Sequence, residues 1–258
     1  MKKIFTGMLL VLLMVGCKKE MDSSSGTEVK VKKEFDIQLW EKLTPTGGEL
    51  QLIVNSIEPQ ACPNIHLDYY VSVSDTKVTV TLKSFVIPTN CMGAMTHTSD
   101  TLPIGRLQYG NYKFAINLKD VVLNTGSLSV NQHLYIVDLQ SENGISMPFK
   151  QLSRIPESTI WGYVNYESSA TNKAQAFMDS LKTVCQTTSL LNGRYGHFEV
   201  VNESLKMPAS IQYPNPITTT FFFKYEGTED KLDRLIQYFR LNSNGLNINL
   251  TAQTGKQF

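Results

Sequence analysis

Through residues 35–139 apolar and polar side chains alternate with a period of two. Tyr69, Val71 and Val73 form one such set, Val78, Val80 and Leu82 a second, and Tyr112, Phe114, Ile116 and Leu118 a third. Successive side chains of a strand point to opposite faces, so each set predicts a strand with one buried face. No apolar stripe at helical spacing interrupts them. Residues 34–150 are therefore expected to fold as an antiparallel sandwich or barrel. The clearest local signal is a two-residue hairpin loop at Asp75-Thr76. Pairing Val73 with Val78 sets Val71 against Val80 and Tyr69 against Leu82, with both apolar sets on one side. Extending that register brings Pro63 opposite Pro88, where the ladder must fray because proline donates no hydrogen bond. Cys62 and Cys91 lie just beyond, and one bulged residue would bring them together.

After Ser153-Arg154-Ile155-Pro156-Glu157-Ser158 helical periodicity appears for the first time. A strand over 160–166 precedes a helix whose Ala174, Phe177, Met178, Leu181, Val184, Cys185 and Thr188 share one face, with Asn192-Gly193 as its stop. A strand over 197–201 and a proline-rich connection over 207–216 follow. Next come a strand over 218–225, a helix capped by Thr228 with Glu229 and Asp230 in its first turn, and a last strand carrying Leu246, Ile248, Leu250 and Ala252. The stripe of that second helix is Leu232, Leu235, Ile236 and Phe239. Residues 155–258 thus read as βαββαβ, the split βαβ or ferredoxin-like order of an α+β domain. Its two central strands are apolar on both faces, since Ile160 and Val164 alternate with Trp161 and Tyr163, while Phe221 and Phe223 flank Phe222. Helices cover one sheet face only. The second is expected to be covered by the first domain, by the 207–216 connection or by a partner subunit. The sharper alternative is an aromatic ligand-binding platform of Trp161 and Tyr163 that stacks on a glycan.

Two short segments carry resemblances. Leu107-Gln108-Tyr109-Gly110-Asn111-Tyr112-Lys113-Phe114 resembles the turn-strand segments of bacterial Ig-like sandwich domains, which implies an architecture for residues 34–150 and no functional residue. At the N-terminus, Met1-Lys2-Lys3 precedes an apolar run over 4–15 that is far shorter than the roughly 20 residues of a membrane span, so it reads as an export signal. Leu13-Met14-Val15-Gly16-Cys17 resembles the lipobox of bacterial lipoproteins, with Met14 where Leu is commonest. That resemblance implies a signal peptide over 1–16, lipidation of Cys17, and a membrane partner held through acyl chains worth about 0.8 kcal/mol per buried methylene. Residues 17–33, with Ser23-Ser24-Ser25-Gly26, read as a flexible tether. Lys18-Lys19-Glu20-Met21-Asp22 is similar to the charged export signals of Bacteroidota surface lipoproteins, though less acidic. The implied location is extracytoplasmic, on the outer membrane, with periplasmic and surface faces both open.

Charge and reactive residues narrow the functional classes. The formal net charge is +1, and removal of Lys2 and Lys3 with the leader takes it to −1, which leaves no basic excess for nucleic acid. An oxidising compartment makes Cys62 and Cys91 an expected disulfide, the alternative being two unrelated buried thiols. Cys185, on a helical apolar stripe, reads as a small buried thiol. His66, His97, His133 and His197 are scattered, with no HExxH or CxxC, and His66 with Asp68 makes only a two-ligand pair on a strand face. No metal or cofactor is inferred. Ser74-Asp75-Thr76-Lys77 matches SxxK in letters but falls in a hairpin turn, not on a helix, and no GxSxG elbow is present. Asp68, Asp100 and Glu199 are carboxylates without distinguishing context. The first reading is a non-catalytic binding or adhesion module of the cell envelope, with a glycan, peptide or protein partner. A structural subunit of an envelope complex is the second, and a hydrolase with dispersed acidic residues the third.

Overall fold

The computed structural model describes residues 30–91, 93–209, 211 and 214–258. The expected signal peptide, Cys17 and the tether up to residue 29 lie outside the described residues. Val31 already belongs to the folded part: its N–H donates to Asn143 Oδ1 at 2.7 Å and its side chain packs against the sandwich core.

The strands up to residue 153 are β1 (Phe35–Lys42), β2 (Glu49–Ser56), β3 (His66–Ser74), β4 (Lys77–Val86), β5 (Ser99–Gly105), β6 (Gly110–Leu118), β7 (Val122–Val130) and β8 (Leu134–Leu139), with the short β9 (Ile145–Ser146) and β10 (Gln151–Ser153). They form a four-stranded sheet, β5-β2-β1-β9, and a six-stranded sheet, β10-β8-β7-β6-β4-β3. Inward-facing Ile37, Leu39, Leu50 and Leu52 of the first sheet share one core with Val78, Val80, Leu82, Phe114, Ile116 and Leu118 of the second. Each such side chain, fully buried, contributes about 1.5–3 kcal/mol.

The hairpin forms in the expected register, with Val73↔Val78, Val71↔Val80 and Tyr69↔Leu82. A register shift between Leu67 and Tyr69 supplies the bulge, and Cys62 and Cys91 form a disulfide with 5.4 Å between their Cα atoms. Two details depart from the sequence reading. Val73 is 43% exposed although Val78 is fully buried, because β3 is the outermost strand of its sheet and nothing overlies its end. The sandwich is also not wholly antiparallel: β4 pairs with β6 in parallel, and β1 with β9. After β4 the chain crosses to the other sheet as β5 and returns as β6, and such a crossover lets two neighbours run the same way.

The C-terminal part contains β11 (Thr159–Tyr166), α1 (Thr171–Val184), β12 (Gly193–Arg194), β13 (Glu199–Val201), β14 (Ser204–Lys206), β15 (Ile217–Lys224), α2 (Glu229–Asn242) and β16 (Leu246–Ala252). β11 lies between β15 and β16 and is antiparallel to both. Ile160, Val164, Phe221 and Phe223 meet Phe177 and Leu181 of α1 and Leu232, Ile236 and Phe239 of α2 on one face. The strand expected over 197–201 does not extend this sheet. It shortens to β13 and joins β12 and β14 in a separate three-stranded sheet, whose Val200 and Leu205, with Phe198 just before β13, pack with Trp161 on the second face. Every residue of β11 is buried as a result. The covering that the apolar central strands demanded is thus supplied mainly from residues 193–206, with Leu43 of the first part and Met207 of the expected connection packed against the same cluster.

Helix ends differ too. α1 stops at Val184, not at Asn192-Gly193, because Cys185 turns extended and Gln186 exchanges both backbone hydrogen bonds with Lys224. Thr228 occupies the N-cap of α2 with no side-chain cap bond, and its carbonyl accepts from the Tyr225 hydroxyl at 2.7 Å.

Candidate functional site

Strand alternation gives β1 two working faces. Phe35, Ile37 and Leu39 point into the sandwich, while Asp36, Gln38 and Trp40 face outward and are half-buried against the C-terminal part. Three residues, Arg194, His197 and Gly196, fix that junction. Arg194 donates to Gln38 Oε1 at 2.8 Å and to the Leu39 carbonyl at 3.4 Å. The His197 ring is 4.6 Å from that of Trp40 and 6.0 Å from that of Trp161, and its Nε2 is 2.8 Å from the Glu41 carbonyl oxygen. Gly196 has φ +81°, and a Cβ there would stand 3.2 Å from the Trp40 ring, so glycine meets both the backbone and the packing requirement.

Glu41 falls at an inward position of the same alternation and is 2% exposed. A buried carboxylate must be paired and hydrogen-bonded to be tolerated. Its Oε1 accepts from Tyr135 Oη at 3.0 Å and Arg154 Nε at 3.4 Å, and its Oε2 from the Ile155 N–H at 3.2 Å. Gly48 leaves room for it, since a Cβ at that position would overlap the carboxylate. Burial, then the Glu41 charge, pushes the Tyr135 phenol well above its ordinary value. Burial opposes the Arg154 charge, but Tyr135, Glu41 and Tyr109 outweigh it and hold the guanidinium above its ordinary value. With both oxygens engaged, Glu41 ties the end of β1 to the segment that leaves the sandwich.

Beside this junction lies a groove of about 820 Å³. Trp40, Phe149, Phe198, Met207 and Pro208 supply its apolar walls, and Arg194, Glu199 and Lys206 its charges. The Arg194 guanidinium lies over the Phe149 ring, 4.7 Å from its centroid, and Phe149 itself is 48% exposed. Burial holds Arg194 below its ordinary value, although Asp36 and Glu199 act in the opposite sense. Among the described residues, neither comes within ion-pairing distance of it. Arg154, facing a smaller cleft of about 270 Å³ with Tyr109 and His133, is by contrast already paired with Glu41.

The residues singled out from sequence are distributed as follows. Trp161 and Tyr163 are 2% and 8% exposed, and the Trp161 ring is 5.1 Å from that of Phe198, so neither offers an open stacking face. Cys62 and Cys91 are joined, and Cys185 is a half-buried free thiol that burial pushes up to about 11. Asp100 accepts the Leu67 N–H at 2.6 Å, Asp68 pairs with Lys83 at 3.5 Å, and Glu199 stands on β13 in the other part of the chain. Among the described residues no three His, Cys, Asp or Glu side chains are grouped as a metal would require, and no helix is long and apolar enough to cross a membrane.

Family models, curated proteins and solved structures show no significant similarity to this chain. Trp40, Arg194 and Glu41 are the site residues that sequence reasoning passes over, and His197 is weighed there only as a metal ligand. Two of them left a signal: an aromatic at an outward position and a charge at an inward position of the same strand.

Proposed function

We propose that the protein is a non-catalytic binding module of the bacterial cell envelope, anchored through a lipidated Cys17 and presenting the Trp40–Arg194 groove as its ligand surface. The observation that carries the reading is the groove itself: an exposed Phe149 and a half-buried Trp40 around a half-buried cation, held by two well-packed parts of the chain. Pockets of about 300–1,000 Å³ with apolar walls and few polar groups are the usual form of a small-ligand site. The anchoring reading rests on the leader and the Leu13 to Cys17 lipobox, and it places the module outside the cytoplasm, on the outer membrane. In fold terms, residues 34–150 are read as an Ig-like sandwich. Residues 155–258 are read as a ferredoxin-like domain whose second strand has folded over the sheet instead of extending it.

Two measurements test this. Wild-type protein expressed with its leader is expected in the detergent phase of a cloud-point partition and Cys17→Ser in the aqueous phase; equal partition would remove the anchor. Tryptophan emission of residues 30–258, titrated with envelope glycans, peptides and lipids, is expected to change saturably for one class. A Trp40→Phe variant responding identically would place the ligand elsewhere.

A structural subunit of an envelope complex is the second reading. It is favoured by Tyr238 and Leu241, which are 60% and 78% exposed one turn apart on α2. A monomer in detergent with no cross-linked partner would exclude it.

A further inference from the structure

We infer that the groove takes an aliphatic monocarboxylic acid, its carboxylate on Arg194 and its chain along Trp40, Phe149 and Phe198. This rests on the reading of the groove as a ligand site and adds the class of ligand. A guanidinium has five N–H donors in a rigid fork. Arg194 directs one at Gln38 Oε1 and one at the Leu39 carbonyl, which fixes its plane against β1 and leaves three without a partner among the described residues. One face lies on the Phe149 ring. The remaining edge is a held, partly desolvated cation with no carboxylate within 4 Å among the described residues, where a bidentate anion fits.

The walls define the rest of the ligand. Trp40, Phe149, Phe198, Met207 and Pro208 offer apolar area and few acceptors or donors, so they suit a hydrocarbon chain better than the hydroxyls of a glycan or the amides of a peptide. At about 820 Å³ the groove exceeds the volume of a single short acid and accommodates an extended chain. Glu199 lies in register between Arg194 on β12 and Lys206 on β14 and is within ion-pairing distance of neither among the described residues, so the two cations and one carboxylate of the lining leave the groove net positive.

The test uses dodecanoate and dodecanol, each below its micelle-forming or solubility limit, with tryptophan emission and thermal stability as readouts. The variants are Arg194→Met and Phe149→Glu. The second is at an exposed position and brings an intramolecular carboxylate to Arg194, so it should block the site without disturbing the core. Dodecanoate is expected to bind wild type saturably and about tenfold or more tighter than dodecanol, with that advantage lost in both variants. Equal binding of acid and alcohol, unaffected by either variant, would overturn the acid assignment while leaving an apolar ligand groove. An apolar acetylated tripeptide acid that displaces dodecanoate at lower concentration would overturn the aliphatic assignment in favour of a peptide terminus. No response to any of these three probes would overturn the inference. If the glycans, peptides and lipids of the broader titration then also fail to change Trp40 emission, the groove reading falls with it.

Discussion

At the scale of single residues, the molecule depends on a few polar groups placed where alternation demands an apolar one. Glu41 is the clearest. Its carboxylate joins Tyr135, Arg154 and the Ile155 N–H, and thereby ties the end of β1 to the segment that leaves the sandwich. Glu41→Ala should cost about 2–4 kcal/mol in chemical denaturation, since it strands a hydroxyl, a guanidinium and an amide. Glu41→Gln, which keeps an acceptor but drops the charge, should cost less. Equal stability of wild type and Glu41→Ala would contradict this account. Trp161 makes the opposite point. As the buried centre of the cluster beneath β12–β14, Trp161→Ala should lose about 3–5 kcal/mol through burial and cavity terms, and loss of ligand binding by that variant would report unfolding and not contact.

At the scale of elements, what could be read in advance was whatever one element settles alone. The β3–β4 register, its bulge and the Cys62–Cys91 disulfide follow from a period of two and a short loop. Reduction of that disulfide should lower stability by about 3.6 kcal/mol in the chain-entropy picture, measurable as a shift in denaturation midpoint with dithiothreitol. The end of α1 was not legible, because the apolar stripe runs on to Thr188 while the event that stops the helix, Gln186 pairing with Lys224, is nearly forty residues away. The three residues of β13 likewise alternate correctly for either sheet, and only the need to cover Trp161 decides between them. The candidate site was least legible of all. Arg194 and His197 acquire meaning only by docking on the outer face of β1. His197 makes that docking sensitive to pH. Burial holds its folded value below the ordinary 6.5, against the Glu41 contact, so the unfolded chain takes up the proton first. Its contribution to stability is therefore complete above about pH 6.5 and is lost as pH falls through the folded value. His197→Gln should flatten that acid-side decline in denaturation curves, and an unchanged decline would assign it to other groups.

At the scale of the whole molecule, the sandwich and the C-terminal part share a junction in which both tryptophans of the chain flank one histidine. Thermal unfolding followed by tryptophan emission and by far-ultraviolet circular dichroism should therefore coincide in wild type. In Trp40→Ala the two curves should separate, with the junction opening first; continued coincidence would show that the two parts are coupled through other contacts. The parallel pairing of β4 with β6 has a further bearing, on the order of events when the chain folds. β3 and β4 can zip from a two-residue loop, but β6 finds its place only after the whole 87–109 crossover has run through the opposite sheet, a late and entropically costly closure. Oxidation of Cys62 and Cys91 ties the start of that crossover to the finished hairpin and shortens the search. Refolding from the oxidised chain should accordingly be faster than from the reduced one, which makes the thiol chemistry of the compartment a kinetic partner of the fold.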